Sequence, residues 1–162
     1  MNKVELEEIK LIGLSLKEKT SNDNGQSTRD CINLWNEFEK NHYADKIPGK
    51  SCNDIYGVYH NYEGDSTKPF SYFIGCRVGA YEHVPDGMQS LLIPGGDYYK
   101  MVAKGKMPDC VINTWKEIGD IVIPRSFKID FEVYDERSRD WNSGEVDVYL
   151  SVGKEPATLG IP

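Results

Sequence analysis

Two amphipathic segments, each carrying a tryptophan and each followed by two strand-like runs, constrain this chain more than any other feature. In the first, Cys31, Leu34, Trp35 and Phe38 recur at the i, i+3, i+4, i+7 spacing of one helix face. Ser27 with Asp30 three residues on resembles a capping box at its start. In the second, Val111, Trp115 and Ile118 line an apolar stripe behind Met107-Pro108-Asp109, and Gly119 is placed to end the helix. Trp35 and Trp115 are separated by about half of the 162 residues, so the pattern reads as a repeat.

The strand-like runs complete it. Residues 4–17 read as one irregular strand whose phase changes near Glu8, the mark of a bulge or bend. After Pro48-Gly49 comes a strand over 55–62 with tyrosine at 56, 59 and 62. In the next run Phe70, Tyr72, Ile74, Cys76 and Val78 share one face, and Ser71, Phe73, Gly75 and Arg77 the other. A strand over about 90–104, interrupted at Pro94-Gly95-Gly96, leads into the second helix. Beyond it Phe127, Ile129, Phe131 and Val133 alternate with Lys128, Asp130, Glu132 and Tyr134. Val146, Val148, Leu150 and Val152 then alternate with Asp147, Tyr149 and Ser151. The expected fold class is α+β: tandem duplicated β-α-β-β units forming a mainly antiparallel sheet with two helices and a central cleft. The chain is expected to be a single domain over 1–162, with pseudo-repeats of about 1–80 and 88–153 and an irregular tail over 154–162.

Composition removes other classes. No apolar run approaches the roughly 18 residues needed to cross a bilayer, and the first residues lack the apolar core of a secretory signal. A net charge of −7 disfavours direct binding of nucleic-acid phosphates. Cys31, Cys52, Cys76 and Cys110 form no close pair, and His42, His60 and His83 are scattered, so neither a metal site nor a cofactor is expected. Free, buried thiols in a cytoplasmic protein are the corresponding reading. Gly95-Gly96 lacks the strand-to-helix setting of a phosphate loop, and no Ser-His-Asp signature occurs.

If each helix covers the apolar face of its own half, the opposite face carries the chemistry. The second half would present Glu132, Tyr134 and Tyr149 there, with Asp147 and Lys128 nearby; the first half would present Tyr59, Phe73, Gly57 and Gly75. Overlaying the halves puts Gly57 where Glu132 sits and Gly75 where Tyr149 sits, so one half supplies functional groups and the other supplies space. Such an aromatic-walled cavity would raise the pKa of its carboxylate by desolvation. A cationic ligand would pair with the charge while the rings attract it. A neutral ligand would instead meet a general acid or base. Receptor and hydrolase both fit. Plainer readings make Glu132 a solvent-facing carboxylate, Tyr134 and Tyr149 surface residues, and Trp35, Trp115, Tyr56, Tyr62, Tyr72 and Tyr98 core or rim packing.

Ile55-Tyr56-Gly57-Val58-Tyr59, Tyr72-Phe73-Ile74-Gly75-Cys76, Asp130-Phe131-Glu132-Val133-Tyr134-Asp135 and Val146-Asp147-Val148-Tyr149, in that order and spacing, resemble the GyrI-like family. Leu34-Trp35-Asn36-Glu37-Phe38 and Pro94-Gly95-Gly96-Asp97-Tyr98 fit the same pattern. These are the bacterial effector-binding domains at the C-termini of AraC-type and MerR-type multidrug regulators. The resemblance implies two β-α-β-β units with a cleft between them and a cleft glutamate, matched by Glu132, that pairs with cationic aromatic drugs. It also implies a tyrosine on the last strand, matched by Tyr149. One stand-alone branch hydrolyses cyclopropane-bearing toxins with a tyrosine and the same glutamate, which would make Glu132 and Tyr149 catalytic. Family regulators carry a DNA-binding domain ahead of the module, whereas here the module begins within the first residues. The expectation is a stand-alone, cytoplasmic binder of amphipathic, often cationic small molecules, with no direct nucleic-acid or membrane contact. The alternatives are a hydrolase and an inhibitor of another macromolecule, such as a topoisomerase, reached through the acidic surface.

Overall fold

The phase change near Glu8 divides the first segment into two strands, β1 (Asn2–Leu6) and β2 (Ile9–Ser15), in the computed structural model, which describes residues 1–153. The expected irregular tail, 154–162, lies outside the described residues. Next come α1 (Gln26–Lys40), the short α2 (Tyr43–Lys46), β3 (Lys50–His60) and β4 (Ser71–Val78). The second half runs through β5 (Gln89–Ile93), β6 (Gly96–Gly105), α3 (Asp109–Asp120), β7 (Arg125–Tyr134) and β8 (Gly144–Val152). The class is α+β, as expected, with one antiparallel eight-stranded sheet in the order β1-β6-β8-β7-β3-β4-β2-β5.

This order forces the sheet to curl. β1 and β2 stand six strand spacings apart, which in a flat sheet is roughly 29 Å. Only Glu7 and Glu8 join them, and the step from Leu6 to Ile9 reaches roughly 10 Å. Pro94 and Gly95 make the same short crossing between β5 and β6. The two crossings form one bent ribbon: Leu6 faces Gly96, and beyond the bend Ile9 faces Ile93 with no slip in register. Ile9, Leu11, Tyr56, Val58, Phe73, Ile93, Tyr98 and Phe131, drawn from both ends of the sheet, fill the enclosed face.

The helices pack on the other face. α1 lays Leu34 and Phe38 on Ile12, Tyr72, Ile74 and Cys76. α3 lays Val111 and Ile118 on Ala103, Val146, Val148 and Leu150. The apolar stripes are therefore as read, but two end signals are not. α1 starts at Gln26 behind Gly25, which is left-handed at φ 69, and no side chain caps it. Ser27 already lies inside the first turn and donates to Asn22, while Asp30 accepts from Thr20, so the capping box does not form. Gly119 falls in the last turn of α3, which closes when Ile121 turns extended. No described helix is long and apolar enough to cross a membrane.

Where β2 meets β4, Gly13 stands opposite Gly75. A Cβ on Gly13 would strike the carbonyl oxygen of Ile74, which is backbone and cannot yield locally. Gly13→Ala is expected to destabilise the fold by about 1–3 kcal/mol, the usual cost of overpacking. Gly79→Ala, where nothing lies within 4 Å, should be close to neutral. Urea midpoints of the two variants measure the contrast.

Candidate functional site

β3 and β7 are the central strands, and Gly57 faces Glu132 across them. Directly opposite residues point to the same face, and it is the one that carries the helices rather than the opposite one expected from the alternation, because the apolar Phe131 and Val133 of β7 turn to the enclosed core and leave Glu132 beside Val148 under α3. Glu132 thus lies on the seam between the two helix-covered clusters, where neither helix alone supplies a lid. It is 1% exposed. Tyr59 follows Gly57 by two residues and Tyr134 follows Glu132 by two. Because the strands run antiparallel, the two tyrosines reach the carboxylate from opposite ends.

Three neutral donors hold it. The Trp115 indole Nε1 donates to Oε2 at 2.7 Å, the Tyr59 hydroxyl donates to Oε2 at 3.3 Å, and the Tyr134 hydroxyl donates to Oε1 at 3.0 Å. Among the described residues no cationic side chain forms a salt bridge with Glu132. The indoles cross the seam. Trp115 of α3 meets Tyr59 of β3 edge-on at 5.0 Å, and Trp35 of α1 meets Tyr134 of β7 edge-on at 4.8 Å. Trp35 also donates to the Tyr72 hydroxyl at 2.8 Å. That hydroxyl sits 2.5 Å from where a Gly57 Cβ would stand, so the missing side chain is what admits it.

Desolvation dominates the electrostatics. Burial raises the Glu132 carboxyl above its ordinary range, and the bonds from Trp115, Tyr134 and Tyr59 offset part of the rise. Burial, then the Glu132 charge, pushes the Tyr59, Tyr72 and Tyr134 hydroxyls well above 10.0. Burial, with the Glu132 charge second, also raises the half-buried Cys31 thiol on α1, which keeps that thiol protonated and unreactive.

Of the seven residues expected from sequence, Glu132, Tyr134, Tyr59 and Gly57 come together, and Tyr149, Phe73 and Gly75 do not. In the ladder between β7 and β8, Phe131 faces Tyr149 and Glu132 faces Val148, so Tyr149 turns to the enclosed face. There it stacks on Phe131 at 4.7 Å. Phe73 packs in the same enclosed cluster, and the Cβ position of Gly75 abuts Phe73 and the Ile12 carbonyl. Asp147 is across from Val133 on that face, held by Arg137 at 2.7 Å. Lys128 is exposed, in the stretch where the register of β7 slips. Alternation along a single strand shows which residues share a face, but only the register shows which faces of neighbouring strands coincide.

Sequence reasoning placed Trp35, Trp115 and Tyr72 in the core or rim and so missed their polar ends. The available signal was the indole itself: a buried Trp N–H requires an acceptor, and both helices press a tryptophan toward the sheet. Asp130 was missed too. Fully buried, it accepts from Tyr62 at 2.7 Å, from Arg125 at 2.8 Å and from the Ser151 amide at 3.0 Å. This ion pair pins β7 where its register slips. Two grooves of about 570 and 420 Å³ open elsewhere, and neither is lined by Glu132.

A family model described as integron-associated effector binding protein matches residues 4–152. The integron cassette protein VCH_CASS2, from the mobile metagenome of Vibrio cholerae, has a similar structure. It is 26% identical, with a TM-score of 0.73 over 93% of this chain and 94% of that one. SAV2435, solved bound to tetraphenylphosphonium, shares the fold at 13% identity, with a TM-score of 0.73 over 93% of this chain and 92% of its own. YobU of Bacillus subtilis (strain 168), named as a transcriptional regulator, is 24% identical over 125 residues, which are 75% of this chain and 78% of YobU.

The raised carboxyl has a consequence for stability. A carboxyl with a folded pKa above its unfolded value favours the folded state at low pH, and that contribution is lost as pH rises through the folded pKa. Wild type should therefore lose stability relative to Glu132→Gln as pH climbs from the ordinary value of 4.5 through the raised one. Thermal unfolding of both proteins across this window reads it as a growing difference in midpoint.

Proposed function

The chain belongs to the integron-associated effector-binding proteins, and from that premise we propose that it is a receptor for amphipathic aromatic monocations held over Glu132 between α1 and α3. Small-molecule binding in general follows from the family. The charge of the ligand rests on one observation: a wholly buried carboxylate whose described partners are all neutral. Removing an anion from water carries a penalty that neutral donors relieve only in part, whereas a cation would offset it directly. Trp35, Trp115, Tyr59, Tyr72 and Tyr134 surround the charge with ring surface suited to a soft, delocalised cation. SAV2435 with its tetraphenylphosphonium supports the reading to the extent that this fold can hold a bulky aromatic cation.

The hydrolytic alternative requires a tyrosine acid beside a free carboxylate base. Tyr149 is on the opposite face from Glu132, and Tyr134 spends its proton on the carboxylate. All three donors already occupy the carboxylate, and none of them is placed as a free acid beside it, so binding is the reading the geometry favours.

Titrating tetraphenylphosphonium against wild type and Glu132→Gln tests the proposal. The variant should lose about 1.5–3 kcal/mol of affinity, the value of a hydrogen-bonded charge. Wild-type affinity should also fall as pH drops through the raised carboxyl pKa, because a protonated Glu132 no longer attracts a cation, while Glu132→Gln stays flat. Equal affinities, or a pH-independent wild type, would defeat the assignment.

A further inference from the structure

The curled sheet still ends in two edge strands, β1 and β5, and they are not finished alike. On β5 the Leu91 carbonyl accepts a hydrogen bond from the Tyr81 hydroxyl at 2.9 Å, so that edge is partly closed by its own chain. β1 pairs with β6 on one side, and its other side meets no further strand among the described residues. An open row of backbone N–H and C=O groups is a template for another strand. The side chains of β1 say which strand fits. Val4 and Leu6 lean on the enclosed core, which leaves Lys3 and Glu5 together on the opposite, exposed face. Across from Glu5 on β6 stands Asp97, a like charge, and Lys3 bridges to that Asp97 at 3.8 Å. Glu5 is thus left facing an acid, with no ion pair of its own among the described residues.

We propose that β1 pairs antiparallel with β1 of a second copy of this chain, centred on Val4, in a two-fold dimer that joins the two sheets edge to edge. In this register Val4 stands opposite Val4, and Lys3 of each copy stands opposite Glu5 of the other. Opposite charges directly across a ladder stabilise it, and like charges destabilise it. A slip of two residues in one direction brings Lys3 against Lys3; in the other direction it brings Glu5 against Glu5. A slip of one residue sends Val4 to the wrong face. The charges therefore select a single register. Both copies use the same patch, and the edges left over are those of β5, which Tyr81 obstructs, so assembly stops at two. Strands of five residues make a small interface, and the dimer forms reversibly as concentration rises. Glu132 and its donors lie on other elements, so this inference stands apart from the receptor reading.

Sedimentation equilibrium of the intact chain, from micromolar to millimolar concentration, tests it. Wild type should rise from the 18.4 kDa of one chain toward twice that mass. Lys3→Glu and Glu5→Lys each turn both cross-strand pairs from attractive to repulsive, and each should associate about tenfold more weakly. Both positions are exposed, so the fold should tolerate either change. Mixing the two variants sets acids on one chain against lysines on the other, and the mixture should recover at least the wild-type association. The double variant Lys3→Glu/Glu5→Lys exchanges the charges in place and should also dimerise. A wild type that keeps the mass of one chain throughout, single variants that associate as wild type does, or a mixture that stays monomeric overturns the proposal.

Discussion

A buried carboxylate held by neutral donors organises the middle of this molecule. Placing Glu132 under two helices would be prohibitive without partners, because a buried anion must be hydrogen-bonded or paired. The fold answers with donors from three elements: Tyr59 from β3, Tyr134 from β7 itself and Trp115 from α3. The groups that shape the site are therefore also groups that stabilise the protein. The polar centre is flanked by two apolar clusters, one under each helix, which keep the carboxyl group from solvent.

The asymmetry of the site follows from one pairing. Gly57 and Glu132 face each other at the centre of the sheet. On the glycine side the space is taken by the Tyr72 hydroxyl, which receives Trp35 as the carboxylate receives Trp115. Two similarly placed indoles thus end on a neutral acceptor and a charged one. A second carboxylate at position 57 would put like charges within contact distance, and one of them would have to remain protonated. A glycine there lets the centre hold one charge.

The curled sheet supplies the rigid frame. The short links at Glu7-Glu8 and Pro94-Gly95 hold the two sheet ends together, and the enclosed face is packed with large side chains, Phe73 and Phe131 among them. Tyr149 contributes to that packing. The strands bearing Glu132, Tyr59 and Tyr134 are therefore fixed from behind, while Trp115 reaches the carboxylate from the helix in front.

Periodicity was enough for most of the elements, though not for the break between β1 and β2, for α2 or for the helix ends. The 3.6-residue stripes around Trp35 and Trp115 and the two-residue alternation of the strands specify their own structure locally, because each needs one apolar face to bury. Alternation and the overlaid halves grouped Tyr59, Tyr134 and Gly57 with Glu132, but on the face opposite the helices, whereas the ladders put that group beneath them. What no stretch of sequence contained was the register between strands and the docking of the helices across the seam. A shift of one residue between β7 and β8 exchanges Val148 for Tyr149 at the side of Glu132, and alternation is the same in either case. Only the curled sheet, fixing every ladder at once, decided that Tyr149 turns inward to Phe131 and that a tryptophan from the facing helix reaches the buried acid.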